Sequence, residues 1–236
     1  MEVFLVILSA LAPVAVLLFY IFRKDSAQPE PAKWLLKAFF FGVLSVFLSL
    51  CFSLPTEFLL GLGNTEEACS SIGGAFLHSF TQAAIPEELA KLIMLWLLLR
   101  KNPYFDEQFD GIVYAVCVGM GFAGIENLLY LFNGLAEGSW VVTGIIRAIF
   151  SVPGHFFFAV LMGYYYSLYH FGVKNGIWHK ISILLAPIIA HGIYDGILFS
   201  VNVDEGLAVV FMIVFLVFFK MLAKRGHKRI KKLMNK

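Results

Sequence analysis

Seven apolar runs, each long enough to cross a bilayer, constrain this chain more than any other feature of its sequence. They are Val3–Phe22, Trp34–Leu54, Ala75–Leu99, Gly111–Phe132, Val141–Phe171, Ile181–Ser200 and Gly206–Leu222. A helix needs about 20 mainly apolar residues to span the hydrocarbon core. The composition agrees, since 60% of the 236 residues are hydrophobic and only 14% are charged. These features exclude a soluble globular domain, a disordered tail and a DNA-binding protein.

The apolar runs also determine the class of secondary structure. Lipid offers no hydrogen-bond partner to a backbone N–H or C=O group, so every span must be helical. We therefore predict an all-α, polytopic membrane helix bundle of about seven transmembrane helices. We expect a single domain over residues 1–236, with a basic tail over 223–236.

The basic residues predict the orientation of the bundle. In a seven-span chain, sixteen of the 18 Lys and Arg residues lie in or beside segments on one side: Arg23, Lys24, Lys33, Lys37, Arg100, Lys101, Lys174, Lys180 and the eight from Lys220 to Lys236. Cytoplasmic loops are enriched in Lys and Arg, which predicts an N-terminus outside and a C-terminus in the cytoplasm. We interpret the tail as an anchor for lipid headgroups. Membrane lipids are thus expected partners, and nucleic acid is not.

Only a few ionisable side chains lie within the predicted spans. They are Glu87, Glu88, Lys91, Glu126, Arg147 and Asp195, together with His78, His155 and His191. An ionisable group at membrane depth costs several kcal/mol and indicates a functional site. By helix rise, the set other than His78 can meet in one pocket near mid-membrane, displaced towards the outside.

The third span carries two adjacent acids and a base. Glu87 and Lys91 are four residues apart, and Glu88 and Lys91 are three apart, so Lys91 can pair with either acid. One carboxylate is then free to act as a general acid or base. A structural ion pair that holds the bundle together is the equally weighted alternative.

The later spans supply further polar groups. His191 and Asp195 share a helix face, and an Asp one turn from a His can fix its tautomer. Asn127 stands beside Glu126, within a stretch of small residues that permits close helix packing. We expect Arg147 to be a counter-ion to one of the acids. Prolines precede Glu87, His155 and His191 by one, two and four residues, and they open the helical hydrogen-bond ladder there.

This set of residues is suited to activating water. A carboxylate base with histidines that stabilise an oxyanion would hydrolyse a peptide bond. A metal ion held by His and Glu would do the same. A Ser151–His155 pair is a poor alternative, because neighbours on one helix rarely align for nucleophilic attack. A non-catalytic scaffold or a small transporter that uses the buried charges stays open as the rival function.

Four segments resemble a known family. They are PEELAK at 86–91, YFDE and FDGIVY within 104–114, GFAGIENLLYL at 121–131 and HGIYD at 191–195. In this order and spacing they are similar to the PrsW family of bacterial intramembrane proteases. The resemblance implies a multi-pass protein of the bacterial plasma membrane. It also implies an endopeptidase that makes the first (site-1) cut in a single-span anti-sigma factor, on its extracytoplasmic side.

More distantly, the pattern is similar to the CAAX-prenyl protease superfamily and to a multi-pass subunit of gamma-secretase. The prenyl proteases imply Glu87 and Glu88 as a pair and His191 as a later site histidine. This chain departs from that pattern in having Glu126 in place of a His and Lys91 in place of an Arg. Both a metal-free glutamic protease and a zinc metalloprotease therefore stay open. The ligands of a bound zinc ion would be Glu88, Glu126, His155 and His191.

The site predicted from the sequence thus has two parts. The catalytic candidates are Glu87, Glu88, Glu126, His155, His191 and Asp195, and the supporting residues are Lys91, Asn127 and Arg147. The segment from Phe105 to Asp110 lies on the cytoplasmic side and is expected to be structural or regulatory, with Asp110 as the N-cap of the fourth span. Cys51 and Cys69 could pair on the outer side.

Overall fold

The computed structural model describes the backbone of residues 1–61 and 65–234 and the side chains of residues 1–61 and 67–234. All regular structure in these residues is helical, which confirms the all-α class. The α-helices are α1 (Glu2–Lys24), α2 (Ala32–Leu60), α3 (Thr65–Ala68), α4 (Ile72–His78), α5 (Ile85–Leu99), α6 (Asp110–Glu137), α7 (Trp140–Ile146), α8 (Val152–His170), α9 (Ile177–Ser200) and α10 (Ala208–Met234). π-helical turns join α4 to α5 (Ser79–Ala84) and α7 to α8 (Arg147–Ser151).

Five helical segments among the described residues are long and apolar enough to cross a membrane. They are α1, α2, α6, the continuous segment Trp140–His170, and α9. Large apolar side chains cover the outside of the bundle, and Phe4, Phe19 and Phe58 are each about two-thirds exposed or more. Such a surface is suited to lipid and not to water. The chain is therefore a multi-pass membrane protein, while seven spans and the outward N-terminus stay predictions.

Helix α6 lies at the centre of the bundle. It packs against α1, α2 and α8 and is the most buried of the five long apolar segments. Its small residues permit these close contacts, as the sequence predicted. A Cβ atom at Gly121 would overlap the carbonyl oxygen of Phe39 in α2, and a Cβ at Gly163 in α8 would overlap that of Gly111.

The close contact of α6 with α2 leads to a prediction about stability. Gly121→Ala should lower the free energy of unfolding by about 1–3 kcal/mol, because the new methyl group meets rigid backbone. Gly124→Ala on the same helix is the matched control, since its Cβ would have its nearest neighbour at 3.6 Å. Thermal unfolding of the purified proteins in detergent compares the two. Equal midpoints would contradict this packing.

The two π-helical turns stand directly before the helices that carry the predicted site. Pro86 and Pro153 lie in the first turn of α5 and α8, immediately after each π turn. Proline has no N–H, so it cannot complete the ladder of the preceding turn. π-helical turns often occur at functional sites. The Ser79 hydroxyl ties the first of these turns to α9 by donating to the carbonyl oxygen of Gly192 (2.9 Å).

The structure corrects two boundaries predicted from the sequence. Helix α2 continues through Pro55 to Leu60, beyond Leu54, where the sequence predicted that the second span ends. Asp110 is not the N-cap of α6, because Phe109 holds that position and the Asp110 side chain instead binds the two N–H groups of Asp106 and Glu107. Residues 62–64, between the second and third predicted spans, lie outside the described residues.

Helix α10 extends beyond the predicted last span and through most of the predicted basic tail. Arg229 and Lys232 donate to the hydroxyl groups of Tyr165 (3.3 Å) and Tyr164 (3.0 Å) on α8. The basic segment is thus part of a packed helix up to Met234, and residues 235–236 lie outside the described residues. Cys51 and Cys69 are free thiols.

Candidate active site

All nine residues of the predicted site meet in one cluster. They come from four parts of the chain: α5 provides Glu87, Glu88 and Lys91; α6 provides Glu126 and Asn127; the π turn and α8 provide Arg147 and His155; α9 provides His191 and Asp195. Ion pairs and hydrogen bonds of 2.6–3.2 Å connect them. Residues more than 100 positions apart in the chain are thus direct neighbours.

Lys91 links the two acids of α5 to α8. Its Nζ lies 3.1 Å from Glu87 Oε2, 2.9 Å from Glu88 Oε1 and 3.2 Å from His155 Nδ1. It also lies 3.8 Å from the ring centre of Phe122, a cation–π contact. Lys91 therefore pairs with both acids at once, where the sequence alone left the choice between them open.

His191 is held between two carboxylates. Its Nδ1 lies 3.0 Å from Glu88 Oε1 and its Nε2 lies 3.0 Å from Asp195 Oδ2. Its ring stacks on Phe158 at a centroid distance of 4.6 Å. These contacts fix the position and orientation of the imidazole, in agreement with the pairing predicted from the spacing of His191 and Asp195.

His155 and Glu126 form the second half of the cluster. His155 Nε2 lies 2.8 Å from Glu126 Oε2, and the same oxygen accepts a hydrogen bond from Arg147 Nη2 at 2.6 Å. Arg147 Nε donates to Asn127 Oδ1 (2.7 Å), and Asn127 in turn donates to the carbonyl oxygen of Ala10 in α1 (2.8 Å). Arg147 is thus the counter-ion of Glu126, as expected, and the chain of contacts joins the cluster to α1.

The two adjacent glutamates differ in their access to open space. Glu87 lines a cavity of about 340 Å³, whereas Glu88 is fully buried behind it. Glu88 Oε2 has no hydrogen-bond partner among the described residues. The lining of the cavity is Ala83, Glu87, Glu126, Tyr130, Thr143, Ile146, Arg147, Ser151, His155, Phe158, His191, Tyr194, Asp195, Leu198 and Phe199.

The cavity contains groups that the sequence analysis did not single out. Tyr194 lines it, and its buried hydroxyl has no hydrogen-bond partner in the part of the chain that the structure describes. Tyr130 also lines it and packs its ring on Arg147, 4.0 Å from the guanidinium carbon. Tyr194 stands three residues after His191, so helical spacing could have indicated it. His78 is separate from the cluster, with its ring packed on Phe199.

The charges of the cluster do not balance without further protons or a cation. Four carboxylates, those of Glu87, Glu88, Glu126 and Asp195, face two permanent cations, Lys91 and Arg147. Buried charges are stable only when they are compensated. Protonation of both histidines would supply the two missing positive charges, and so would one divalent ion.

Three donor atoms of the cluster lie close enough together to share one metal ion. One ligand atom each from Glu87, His155 and His191 lies within 4.8 Å of the others. Two imidazoles and one carboxylate are a ligand set of catalytic zinc sites. This set differs from the one expected from the sequence, because Glu87 stands with the histidines where Glu88 and Glu126 were expected.

Comparison with known proteins points to a single family. Residues 30–222 match the family described as PrsW family intramembrane metalloprotease. The chain is 36% identical over 197 residues to Protease PrsW of Geobacillus kaustophilus, covering 84% of this chain and 81% of the relative. It is 35% identical over 231 residues to Protease PrsW of Clostridioides difficile, covering 97% and 91%. It is 32% identical over 228 residues to Protease PrsW of Bacillus subtilis, covering 96% and 95%. No solved structure matches the chain significantly.

Proposed function

The chain belongs to the PrsW family of intramembrane proteases, and from that premise we propose that its cavity hydrolyses a peptide bond of a single-span membrane protein. Family membership favours this function over a scaffold or a small transporter. The single observation that carries the proposal is the convergence of Glu87, His155, His191 and Tyr194 on one cavity. A carboxylate, two imidazoles and a hydroxyl are the groups that peptide hydrolysis requires.

Glu87 is the group that activates water in this proposal. It is the member of the Glu87–Glu88 pair that lines the cavity. Its carboxylate accepts a proton from water as the water oxygen bonds to the carbonyl carbon. The C–N bond then breaks, and Glu87 returns the proton to the leaving amine. Glu88 acts through its neighbours, because it holds both Lys91 and His191 in place.

The carbonyl oxygen gains a negative charge in the first of these steps. Tyr194 is suited to stabilise it, since the residue lines the cavity and its buried hydroxyl has no hydrogen-bond partner among the described residues. A donor placed in advance at a developing oxyanion is commonly the largest catalytic contribution. The imidazoles of His191 and His155 supply further polar groups at the same cavity.

If the cavity holds zinc, Glu87, His155 and His191 would bind the ion, and Glu87 would then be a ligand in place of its role as the base. When bound, zinc lowers the pKa of its water ligand to about 7 and polarises a carbonyl group. With zinc on one ring nitrogen of each histidine, the other nitrogen would keep a partner within the chain: Glu88 or Asp195 for His191, and Glu126 for His155. Such partners of metal-binding histidines fix the ring orientation.

We further propose that the substrate is an anti-sigma factor or a similar single-span protein, cut on its extracytoplasmic side. Two features support the side of the cut. The cavity lining includes Leu198 and Phe199, close to the end of α9 at Ser200, and Thr143, close to the start of α7 at Trp140. These are the helix ends that the positive-inside rule assigns to the outside.

The position of the cut tests this proposal. Mass spectrometry of the products from a tagged single-span anti-sigma factor should give a new N-terminus in the outer part of its span or just outside it. The expected reason is that the cavity lies nearer the outer ends of α7 and α9. A first cut in the cytoplasmic half of the substrate span would contradict the proposed side. The Glu87→Gln variant, which should give no such product, excludes cleavage by another protease.

A further inference from the structure

A second group of acids lies far from the cavity, where three segments of the chain meet. Asp25 follows α1, Glu107 belongs to the connection between α5 and α6, and Asp110 begins α6. One carboxylate oxygen from each lies within 4.8 Å of the other two. Asp110 is 16 residues before Glu126 on α6, a separation of about 24 Å along the helix at 1.5 Å per residue. We call these three residues the acidic triad.

Each of the two aspartates of the acidic triad has one carboxylate oxygen without a hydrogen-bond donor. Asp25 is 4% exposed and Asp110 is fully buried. Asp25 Oδ2 accepts the N–H of Glu30 (3.2 Å), and Asp110 Oδ2 accepts the N–H groups of Asp106 (3.1 Å) and Glu107 (2.8 Å). The second oxygen of both aspartates, Oδ1, has no N–H or O–H donor among residues 1–61 and 67–234, and the Asp110 side chain lies within hydrogen-bond reach of the Glu30 carboxyl group. Each aspartate is therefore anchored by one oxygen and lacks such a donor at the other.

No cation in the described part of the chain compensates the acidic triad. Among the described side chains, no Lys, Arg or His nitrogen lies within 4.0 Å of its carboxylates. Glu30 stands beside it and accepts a hydrogen bond from the Tyr114 hydroxyl.

We propose that the acidic triad binds a hard divalent cation such as Mg²⁺. Carboxylate oxygens without nitrogen or sulfur donors suit hard ions such as Mg²⁺, Ca²⁺ and Mn²⁺. The two Oδ1 atoms that lack a hydrogen-bond donor are ready ligands, and the ion would offset the uncompensated negative charge. Bound there, it fastens the connection between α5 and α6 to the end of α1. The proposal is independent of the peptidase function of the cavity.

Binding of Mn²⁺ tests this proposal, with Mn²⁺ as a spin probe for Mg²⁺. Electron paramagnetic resonance of the purified full chain in detergent should detect a bound Mn²⁺ that excess Mg²⁺ displaces. Asp25→Asn should lose it, and so should Glu107→Gln. Asparagine can still accept the Glu30 N–H, so the first variant keeps its local fold. The exposed Asp204→Asn is the matched control and should keep the ion.

Two further measurements separate this site from the cavity and from a folding defect. His191→Ala should keep the Mn²⁺ that Mg²⁺ displaces, because His191 belongs to the cavity. Mg²⁺ should also raise the thermal midpoint of the wild type and leave that of Asp25→Asn unchanged, since a ligand that binds only the folded state stabilises it. The proposal is overturned if the wild type binds no such Mn²⁺, or if Asp25→Asn and Glu107→Gln bind it as the wild type does.

Discussion

Glu87→Gln should lower kcat/KM for cleavage of a single-span substrate by about 10²–10⁴-fold, the usual contribution of a general base. The amide keeps the size of the side chain but cannot accept the proton of the attacking water. It also removes the carboxylate ligand that a zinc ion would use. Lys91 would still pair with Glu88 at 2.9 Å, so the variant should fold. Cleavage by purified protein in detergent, compared at equal concentration of folded enzyme, measures the effect.

The matched control for this variant is Glu137→Gln. Glu137 lies at the exposed end of α6, the helix that carries Glu126. Its replacement by Gln makes the same chemical change outside the cavity. Its kcat/KM should equal that of the wild type. Substantial activity in Glu87→Gln at normal expression would remove Glu87 from the role of activating water.

His191→Ala is the second change with a large expected effect, and it should lower kcat/KM by about 10²–10³-fold, as the loss of an oxyanion-stabilising group does. Loss of the imidazole removes a polar group from the cavity and leaves Glu88 and Asp195 without their shared partner. It should also abolish zinc binding, because His191 is one of three proposed ligands. Kinetics and metal content by mass spectrometry, after purification without chelators, measure the two effects separately.

His78→Ala provides the control for the loss of an imidazole. His78 lies in α4 against Phe199, outside the ion-pair cluster, and its removal should leave kcat/KM and metal content unchanged. If His191→Ala keeps both full activity and any bound metal, His191 does not belong to the site. If it loses activity in a preparation that never contained metal, the histidine acts as an orienting and oxyanion-stabilising group.

The sequence predicted the class of fold well because lipid permits few solutions. Long apolar runs in a membrane must be helical. Five such runs among the described residues are helical in the structure. The boundaries were less predictable. Pro55 is tolerated within α2, and the π turns before Pro86 and Pro153 depend on how neighbouring helices fill the interrupted ladder. Such compensation depends on tertiary packing, and local sequence patterns do not indicate it.

The membership of the cluster could be predicted because ionisable side chains are costly at membrane depth. Contacts within one helix follow from spacing, and those of Lys91 with its two acids and of His191 with Asp195 are of this kind. Contacts between helices depend on the rotation of each helix about its axis. The sequence therefore could not tell that Glu87 faces the cavity while Glu88 is buried behind it.

The same reason explains why the acidic triad was missed. The sequence assigned Asp110 a local role as an N-cap, because its position before an apolar run is typical of one. The side chain instead turns back to bind the connection between α5 and α6, where Asp25 approaches from α1. A contact between residues 85 positions apart has no signature in local spacing.

The central claim, that peptide hydrolysis takes place at the cavity lined by Glu87 and His191, is tested most directly by reconstitution. Purified wild type and Glu87→Gln would be placed side by side in liposomes with a tagged single-span anti-sigma factor and no other protein. We predict that the wild type yields a defined product and that Glu87→Gln, folded and inserted to the same extent, yields none. Equal cleavage by the two proteins would contradict the claim.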